Sequence, residues 1–416
     1  MSEKSPFRWH CILFFILISS MVMGASGLEI TKKFGGPEDD YGRSIRSTTD
    51  GFILAGQNGS DAWLVKTDKN GNIRWDKVIG NCIARSVAVA KDGNYVVTGA
   101  KGSDLWLAKF DKRDGTLIWE RGFGGAGKSI GNYVSQTTDG GYIIAGTTDS
   151  MGAGGDDIWL IKTDSLGDKD GPGGWDRTFG WQYNDSGLEV HQTTDGYILA
   201  GIFVFNEAKD KCILLQKTDS AGVPGWRRLF AGAYPECCGG TEYGASLVAM
   251  KQGNRTVTLL GMTKCPGSNM ECDGWLIKLY EGWKSPWEKN IGDPSEDTLS
   301  QIRLTKDGKG LISAGTRDAS SSFAQILVTR TNLNGDVIWS KHYPKVLDSF
   351  NVASGVDTTM EGGYAVIGSS YDHQTADQQM LLIIFRPGRP GSGFILPSDL
   401  RMGGWWEWLP EKVHPL

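Results

Sequence analysis

The chain has 416 residues, of which 22% are charged and 39% are hydrophobic, and it contains 58 glycines and 16 tryptophans. The ordinary hydrophobic share excludes a membrane protein with many spans. The formal net charge of -5 excludes nucleic acid as the main partner, because no basic excess exists to meet phosphates. A chain of this length usually forms two or three domains, unless a repeat architecture builds one large unit.

The N-terminal residues 1–27 have the organisation of a secretory signal peptide. Lys4 and Arg8 precede an apolar run over residues 11–24, and small residues follow it. The run is short for a membrane span, which needs about 20 apolar residues. We therefore expect a secreted or cell-surface protein, which is bound to a membrane only if this peptide is retained as an anchor.

A turn of the form Asp-Gly, or a close variant of it, marks seven copies of a repeat. In chain order the turns are Asp50-Gly51, Asp92-Gly93, Asp139-Gly140, Asp195-Gly196, Gln252-Gly253, Asp307-Gly308 and Glu361-Gly362. Two apolar runs follow most turns, the second often containing Asp-X-Trp-Leu, and then come a Gly turn and a run with another Trp. Because no segment has a sustained helical period, each copy is predicted to form four antiparallel strands, named A to D.

A four-stranded unit that is apolar on both faces is stable only against like neighbours. Seven such units stacked radially make an all-β, seven-bladed β-propeller. The seventh copy lacks a strand D, whereas residues 30–35, before the first copy, align with the strand D of residues 175–180. We therefore predict a propeller over residues 28–386 that the N-terminal strand closes, and a Pro- and Trp-rich tail over residues 387–416.

The repeat, from Thr-X-Asp-Gly-Gly-Tyr-Ile-X-Ala-Gly through Asp-X-Trp-Leu-Ile-Lys-Thr-Asp to Trp-X-Arg-X-Phe-Gly, resembles secreted β-propeller repeat proteins of archaea and bacteria. These are similar to quinoprotein (PQQ-dehydrogenase-like) propellers. The resemblance implies the fold and little about activity. Adjacent Cys237 and Cys238 are similar to the cysteine pair of quinoprotein alcohol dehydrogenases, but the calcium site and acidic base of those eight-bladed enzymes have no convincing equivalent here. We expect no cofactor and no metal, and a PQQ-type oxidoreductase stays an alternative.

The cysteines outside residues 1–27 all fall toward the face of the predicted propeller that carries the D-to-A and B-to-C loops. A secreted protein favours disulfides. We expect a bridge between Cys265 and Cys272, and a second candidate joins Cys212 to Cys237 or Cys238. Such bridges would staple long loops.

Candidate ligand-binding residues lie on the same face. Four carboxylates precede strand A and would ring the mouth of the central channel: Asp40, Asp185, Glu242 and Asp297. They either attract a cation or basic partner, or are ordinary solvated turn residues. The aromatic residues of this face make a carbohydrate-binding propeller a further alternative: Trp181, Tyr183, Tyr234 and Tyr243.

Two further patterns are interpreted as structural. Residues 122–129 match the phosphate-loop pattern G-X4-G-K-S, but a strand is expected after them instead of the helix that such a site needs, so we predict a blade turn. A repeated basic set is interpreted as a solvated blade edge: Lys66, Lys109, Lys162, Lys217, Lys278 and Arg330. We predict a secreted or cell-surface binding or scaffold propeller without catalysis, whose partner is an extracellular protein or glycan.

Overall fold

The regular structure of the described residues consists of β-strands alone. The computed structural model describes residues 29–36, 38–204, 211–230, 245–252, 255–264, 272–280, 284–292, 296–343, 349–373 and 375–387. The strands in these residues are β1 (Glu29–Phe34), β2 (Asp40–Thr48), β3 (Gly51–Asn58), β4 (Asp61–Asp68), β5 (Ile73–Ile79), β6 (Cys82–Val89), β7 (Tyr95–Lys101), β8 (Asp104–Phe110), β9 (Leu117–Phe123), β10 (Ser129–Gln136), β11 (Tyr142–Thr148), β12 (Asp157–Thr163), β13 (Trp175–Phe179), β14 (Ser186–Thr193), β15 (Gly196–Val204), β16 (Lys211–Thr218), β17 (Pro224–Phe230), β18 (Ala245–Gln252), β19 (Arg255–Lys264), β20 (Asp273–Tyr280), β21 (Lys284–Ile291), β22 (Gln301–Leu304), β23 (Gly310–Arg317), β24 (Gln325–Asn332), β25 (Val337–Tyr343), β26 (Ser349–Thr358), β27 (Tyr364–Asp372) and β28 (Asp377–Phe385).

These strands form seven antiparallel sheets of four strands, the blades of a propeller. Blades 1 to 6 each take four consecutive strands, from β2–β5 to β22–β25, in the order A, B, C, D. Blade 7 combines β26, β27 and β28 with β1. The predicted all-β, seven-bladed fold is therefore confirmed, and the residues of the phosphate-loop pattern form the turn between β9 and β10, with a strand following them.

The N-terminal strand closes the ring, as the missing seventh strand D predicts. β1 pairs antiparallel with β28, so that Ile30 lies opposite Ile384 and Phe34 lies opposite Met380. Phe34 is buried in a cluster that also contains Ile45 of blade 1. The chain therefore joins its beginning to its last blade by both backbone pairing and apolar packing.

Tryptophans of two kinds hold neighbouring strands and blades together. The strand C tryptophans are buried, and the indole N–H of Trp63 donates to Asp76 of strand D at 3.0 Å. The strand D tryptophans are half-buried and pack on the next blade, as Trp75 does on Tyr95 with ring centroids 6.0 Å apart. Equivalent ring pairs are Trp119–Tyr142, Trp175–Tyr197 and Trp339–Tyr364. The repeated Trp residues are thus part of the packing within and between blades.

The repeated basic set is not a solvated edge, so that interpretation was wrong. The side chains of Lys66 and Lys162 are only 3% exposed. Five of the six pair with the acid of their own Asp-Gly turn, and the N–O distances are 2.9 Å for Lys66–Asp50, 2.7 Å for Lys109–Asp92, 2.8 Å for Lys162–Asp139, 3.1 Å for Lys217–Asp195 and 3.5 Å for Arg330–Asp307. The sixth, Lys278, belongs to the copy with Gln252 at the turn; it is buried and donates to Leu333 O at 3.4 Å. The long apolar stems cross the blade interior and deliver the charged end to the turn.

Residues Glu29–Arg386 form one compact unit, and nearly all of the tail at 387–416 lies outside the described residues, as do residues 1–28. The predicted signal peptide and tail therefore stay predictions. No helix in the described ranges is long and apolar enough to cross a membrane.

Shortening the buried side chain that ends the closing strand tests the closure. We expect Phe34→Ala to lower the free energy of unfolding by about 3–5 kcal/mol, because it removes a buried ring from the junction of blades 7 and 1. Denaturant unfolding followed by tryptophan fluorescence measures the effect. The matched control is Lys33→Ala, which changes an exposed residue of the same strand. Equal stability of the two variants would contradict the closure.

Candidate functional site

A cavity of about 700 Å³ lies along the central channel, and every blade contributes to its wall. The contributing residue occupies the same place in each repeat, seven positions before the turn acid or its substitute, as Arg43 does before Asp50. We call this set the channel ring, and its members in blade order are Arg43, Arg85, Asn132, Leu188, Ala245, Ser300 and Ser354. The fold thus presents seven equivalent positions, occupied by five residue types, to one space.

A β-bulge turns most of the channel ring toward the cavity. In blades 1, 2, 3, 4 and 7 the register between strands A and B shifts by one residue, and the extra residue is the ring residue. A bulge leaves one residue unpaired and redirects its side chain. In these blades the residue before the bulge is Gly or Ala. A Cβ on Gly131 would collide with the Thr98 hydroxyl of blade 2, so the strand can approach its neighbour only without a side chain there.

The strands A also bond to one another across every blade junction. Around the ring, these bonds are Val87 N to Ser44 Oγ (3.2 Å), Val134 N to Ser86 Oγ (3.3 Å), Asn132 Nδ2 to Gly187 O (2.8 Å), Leu247 N to Glu189 Oε2 (3.3 Å), Ile302 N to Ser246 Oγ (3.2 Å), Val356 N to Gln301 Oε1 (2.9 Å) and Ser47 N to Asp357 Oδ2 (2.7 Å). We call this set the girdle. It holds the wall of the cavity in one geometry.

Glu189 is the most strongly bonded acid of the cavity wall. Its side chain is 4% exposed, and it accepts hydrogen bonds from Ser246 Oγ at 2.6 Å and from Arg303 Nη1 at 2.9 Å. His191 Nε2 lies 2.9 Å from the same carboxylate. Burial alone would raise its pKa, but Arg303, His191 and Ser246 together lower the pKa of Glu189 to about 2. The group is an ionised link between blades 4, 5 and 6.

Two arginines give one side of the cavity wall a positive charge. Arg43 and Arg85 occupy the bulged positions of adjacent blades. Arg43 Nη2 donates to Gln57 Oε1 at 3.3 Å, and its guanidinium lies 5.3 Å from the centre of the Tyr41 ring. Burial, and then the charge of Arg85, lower the pKa of Arg43 to about 10, and burial also lowers the pKa of Arg85. Arg43 therefore stays protonated at neutral pH even with its lowered pKa.

Two of the carboxylates predicted to ring the channel mouth, Asp40 and Asp185, accept hydrogen bonds from loop backbone, and Asp185 also lines the cavity. Asp40, Asp185 and Asp297 are fully buried. Asp185 accepts the N–H groups of Trp181 and Val204, at 2.9 Å and 2.7 Å. Burial raises the pKa of Asp185 to about 6 despite these bonds. This placement favours a loop-capping role. Glu242 lies outside the described residues.

Two of the four aromatic candidates, Trp181 and Tyr183, lie among the described residues. Tyr183 lines the cavity. Trp181 is 46% exposed, and its ring packs edge-on against Phe203 with centroids 5.1 Å apart. Tyr234 and Tyr243 fall outside the described residues. Their part in ligand binding stays a prediction.

One of the cysteine expectations fails. Cys212 is a free, buried thiol whose Sγ donates to Phe203 O at 3.5 Å, so it forms no bridge to Cys237 or Cys238. Its strand is packed against blade 3, and burial raises the pKa of Cys212 to about 11. Cys272 is buried, whereas Cys237, Cys238 and Cys265 lie outside the described residues, so the bridge between Cys265 and Cys272 stays a prediction.

The channel ring was not foreseen from the sequence, although a signal for it exists. Aligning the copies on their turns brings Arg43, Arg85 and Asn132 to one column, and a small residue precedes each of them. Among the described residues, no group of three or more His, Cys, Asp or Glu side chains is placed to hold a metal ion.

Comparisons with known proteins show the fold. No protein-family model matches this chain, and no curated protein matches it at a significant level. Solved structures similar to it include Drosophila Semaphorin 1b, extracellular domains 1-2 (9% identity, 86% of each chain covered, TM-score 0.50). Others are Drosophila Semaphorin 1a, extracellular domains 1-2 (10% identity, 85% of this chain and 87% of that chain, TM-score 0.50), and the Dos1 propeller (10%, 84% of each chain, 0.47). At such identities the likeness shows a shared propeller fold alone.

Replacing the buried acid of the girdle tests its role through pH. We expect Glu189→Gln to lower the free energy of unfolding at pH 7 by about 3–5 kcal/mol, since Arg303 then stays buried without its counter-charge. The folded pKa of about 2 lies below the ordinary 4.5, so the contribution of Glu189 is complete above pH 4.5 and is lost as the pH falls toward 2. Denaturant unfolding between pH 7 and pH 2.5 should show that the difference in unfolding free energy between the intact protein and Glu189→Gln becomes smaller as the pH falls. The matched control is Glu38→Gln, at an exposed site; a difference independent of pH would contradict the assignment.

Proposed function

We propose that this chain is an extracellular binding propeller that holds a small polar ligand in its central cavity and has no catalysis of its own. The observation that carries the proposal is the cavity of about 700 Å³, to which all seven blades contribute a channel-ring residue. A concave site of this volume lies within the range of small-molecule sites, which is about 300–1,000 Å³. Most ring members can form hydrogen bonds, so a polar ligand fits the wall better than an apolar one.

The rigidity of the wall supports binding as its role. The girdle joins the strands A of all seven blades, and β1 closes the ring through its pairing with β28. A wall that is already ordered loses little conformational freedom when a ligand enters, which strengthens binding. The cavity is therefore a preformed site.

The state of the acids in the wall supports binding over catalysis. Glu189 is held by Ser246, Arg303 and His191, and its pKa of about 2 makes it a poor proton acceptor at neutral pH. Asp185 has both oxygens engaged by backbone N–H groups. Neither carboxylate is available as a general base without breaking bonds that hold the fold.

A carbohydrate is the ligand class that a second observation favours. Trp181 exposes nearly half of its surface, beside the segment of Gln182, Tyr183 and Asn184 that lines the cavity. An exposed indole next to hydrogen-bonding groups suits the mixed apolar and polar surface of a sugar ring. The carbohydrate-binding alternative is therefore the version of the proposal to test first.

Filling the cavity tests whether it is the binding site. We expect an array of neutral and acidic oligosaccharides, with a thermal-shift panel of single sugars and organic acids, to yield ligands for the intact protein. Ser354→Trp fills the cavity and should abolish these signals, whereas the control Ser165→Trp, in an exposed turn, should keep them. Absence of any ligand, binding that survives Ser354→Trp, or dye reduction after PQQ and Ca²⁺ are added would each count against the proposal.

The extracellular location rests on residues 1–27 and is tested separately. Expression of the full chain in a secretory host should release a protein whose intact mass corresponds to a start near residue 28. The control is a variant in which Leu13 and Leu17 are both replaced by Asp, which interrupts the apolar run and should keep the protein inside the cell. Recovery of the intact N-terminus in the membrane fraction would show an anchor, and recovery in the cytosol would contradict secretion.

A further inference from the structure

We propose that Arg43 and Arg85 make the central cavity an oxyanion site, which takes a small hydroxylated molecule carrying a carboxylate or a comparable oxyanion. This inference rests on the proposed binding function and names the chemistry of its ligand. The guanidinium group presents a planar fork of N–H donors that matches a carboxylate or phosphate in two parallel hydrogen bonds.

The position of the two arginines directs them to a ligand. They occupy equivalent bulged positions in blades 1 and 2, and both line the cavity. Because adjacent blades repeat the same backbone geometry, the two side chains start from neighbouring points of the same wall. A bulge at a channel redirects a side chain away from the sheet, and here it redirects two cations into one space.

None of the residues that the structure describes neutralises Arg85. Within the described ranges Arg85 has no hydrogen-bond or ion-pair partner, and its Nε is a buried donor that meets no acceptor. A buried N–H donor without an acceptor costs free energy, which argues against a structural role for Arg85. An oxyanion in the cavity would supply the missing acceptors.

The acids of the wall are engaged elsewhere. Glu189 is bound by Arg303, and Asp185 is bound by backbone N–H groups. No carboxylate of the described residues contributes to the pKa of Arg85, which burial alone lowers. Among the described residues no acid balances the positive charge of Arg85, although the whole chain carries a formal net charge of -5.

The rest of the wall suits hydroxyl groups. Asn132, Ser300 and Ser354 are neutral polar members of the channel ring. Asn132 Nδ2 and Ser300 Oγ already donate to Gly187 O and Ala353 O, so the oxygens of these two side chains act as acceptors for ligand hydroxyls. A volume of about 700 Å³ exceeds what an inorganic anion needs and suits a molecule of the size of an acidic mono- or disaccharide. Sugar acids and hydroxy acids combine both features, with one oxyanion for the arginines and hydroxyls for the remaining ring.

Binding of D-glucuronate, D-galacturonate and D-gluconate, with D-glucose as the neutral match, tests the inference by calorimetry. We expect at least one of these acids to bind the intact protein and D-glucose to bind more weakly. Arg85→Gln should weaken binding of the acid by about ten- to a hundredfold, since it removes a charged hydrogen-bond donor. Arg85→Lys keeps the charge but loses the planar fork of N–H donors. Its affinity for the acid should therefore lie between those of the intact protein and Arg85→Gln. Arg113→Gln, which makes the same charge change at a side chain that is 81% exposed, is the matched control.

Thermal unfolding without ligand separates a ligand-binding arginine from a structural one. If Arg85 serves a ligand, Arg85→Gln should unfold at the same or a higher temperature than the intact protein, because an unsatisfied buried charge is removed. A marked loss of stability in Arg85→Gln would assign Arg85 to the fold and overturn the inference. Inorganic sulfate and phosphate form a further arm: stabilisation by these ions that Arg85→Gln abolishes identifies the bare oxyanion as sufficient.

The outcomes distinguish this inference from the proposed function. Equal binding of any acid to the intact protein and to Arg85→Gln, with loss in Ser354→Trp, would keep the cavity as the site and reject the oxyanion assignment. Failure of all three acids and both inorganic ions to bind the intact protein would also reject the assignment, and ligands from the wider panel would then decide the proposed function alone.

Discussion

The apolar packing of each blade against its two neighbours is the interaction on which the rest of this molecule depends. Each sheet is apolar on both faces, so exposing either face to water is unfavourable. A blade is therefore stable only when it is packed between two others. The apolar clusters follow this rule, since Ile53 and Ala55 of blade 1 pack with Tyr95 and Val97 of blade 2. Because the row of blades must close to cover its last faces, the pairing of β1 with β28 is needed for stability as well as for shape.

In most strands A, two adjacent residues have different roles: one belongs to the girdle and stabilises the ring of blades, and the other belongs to the channel ring and lines the cavity. The residue six positions before the turn supplies an acceptor to the next blade in five of the seven junctions, for example Ser44 and Ser86. The residue one position earlier is in the channel ring and lines the cavity. Because the bulge places these neighbours in different directions, the ring residues of blades 1, 2 and 4 can change without disturbing the bond that joins the blades. In blade 3 the ring residue Asn132 itself forms the bond to the next blade.

The fold could be predicted from the sequence because its signals are local and repeated. The Asp-Gly turns, the alternation of apolar runs with Gly turns, and the orphan strand D at residues 30–35 are each visible in a few residues. The buried pairs such as Lys66 with Asp50 were missed because a charge on an apolar strand suggests solvent, and only the turn at the strand end reveals its partner. The free thiol of Cys212 was misjudged because its pairing depends on packing, which cysteine spacing does not report. The bulge was missed because it accompanies a close approach of the neighbouring blade, as at Gly42, Gly131 and Gly187, which the sequence of one strand does not report.

The channel ring contains different residues in different blades, so the cavity has one charged side although the backbone repeats seven times. Blades 1 and 2 contribute Arg43 and Arg85, blades 3 and 4 contribute Asn132 and Leu188, and the remaining three contribute only Ala or Ser. Charge is therefore concentrated at one side of the channel, while the small residues of blades 5 to 7 leave room along the rest of the wall. A ligand with one charged end and a neutral hydroxylated body matches this division, because its charged end meets the two cations and its body occupies the space that the small residues leave.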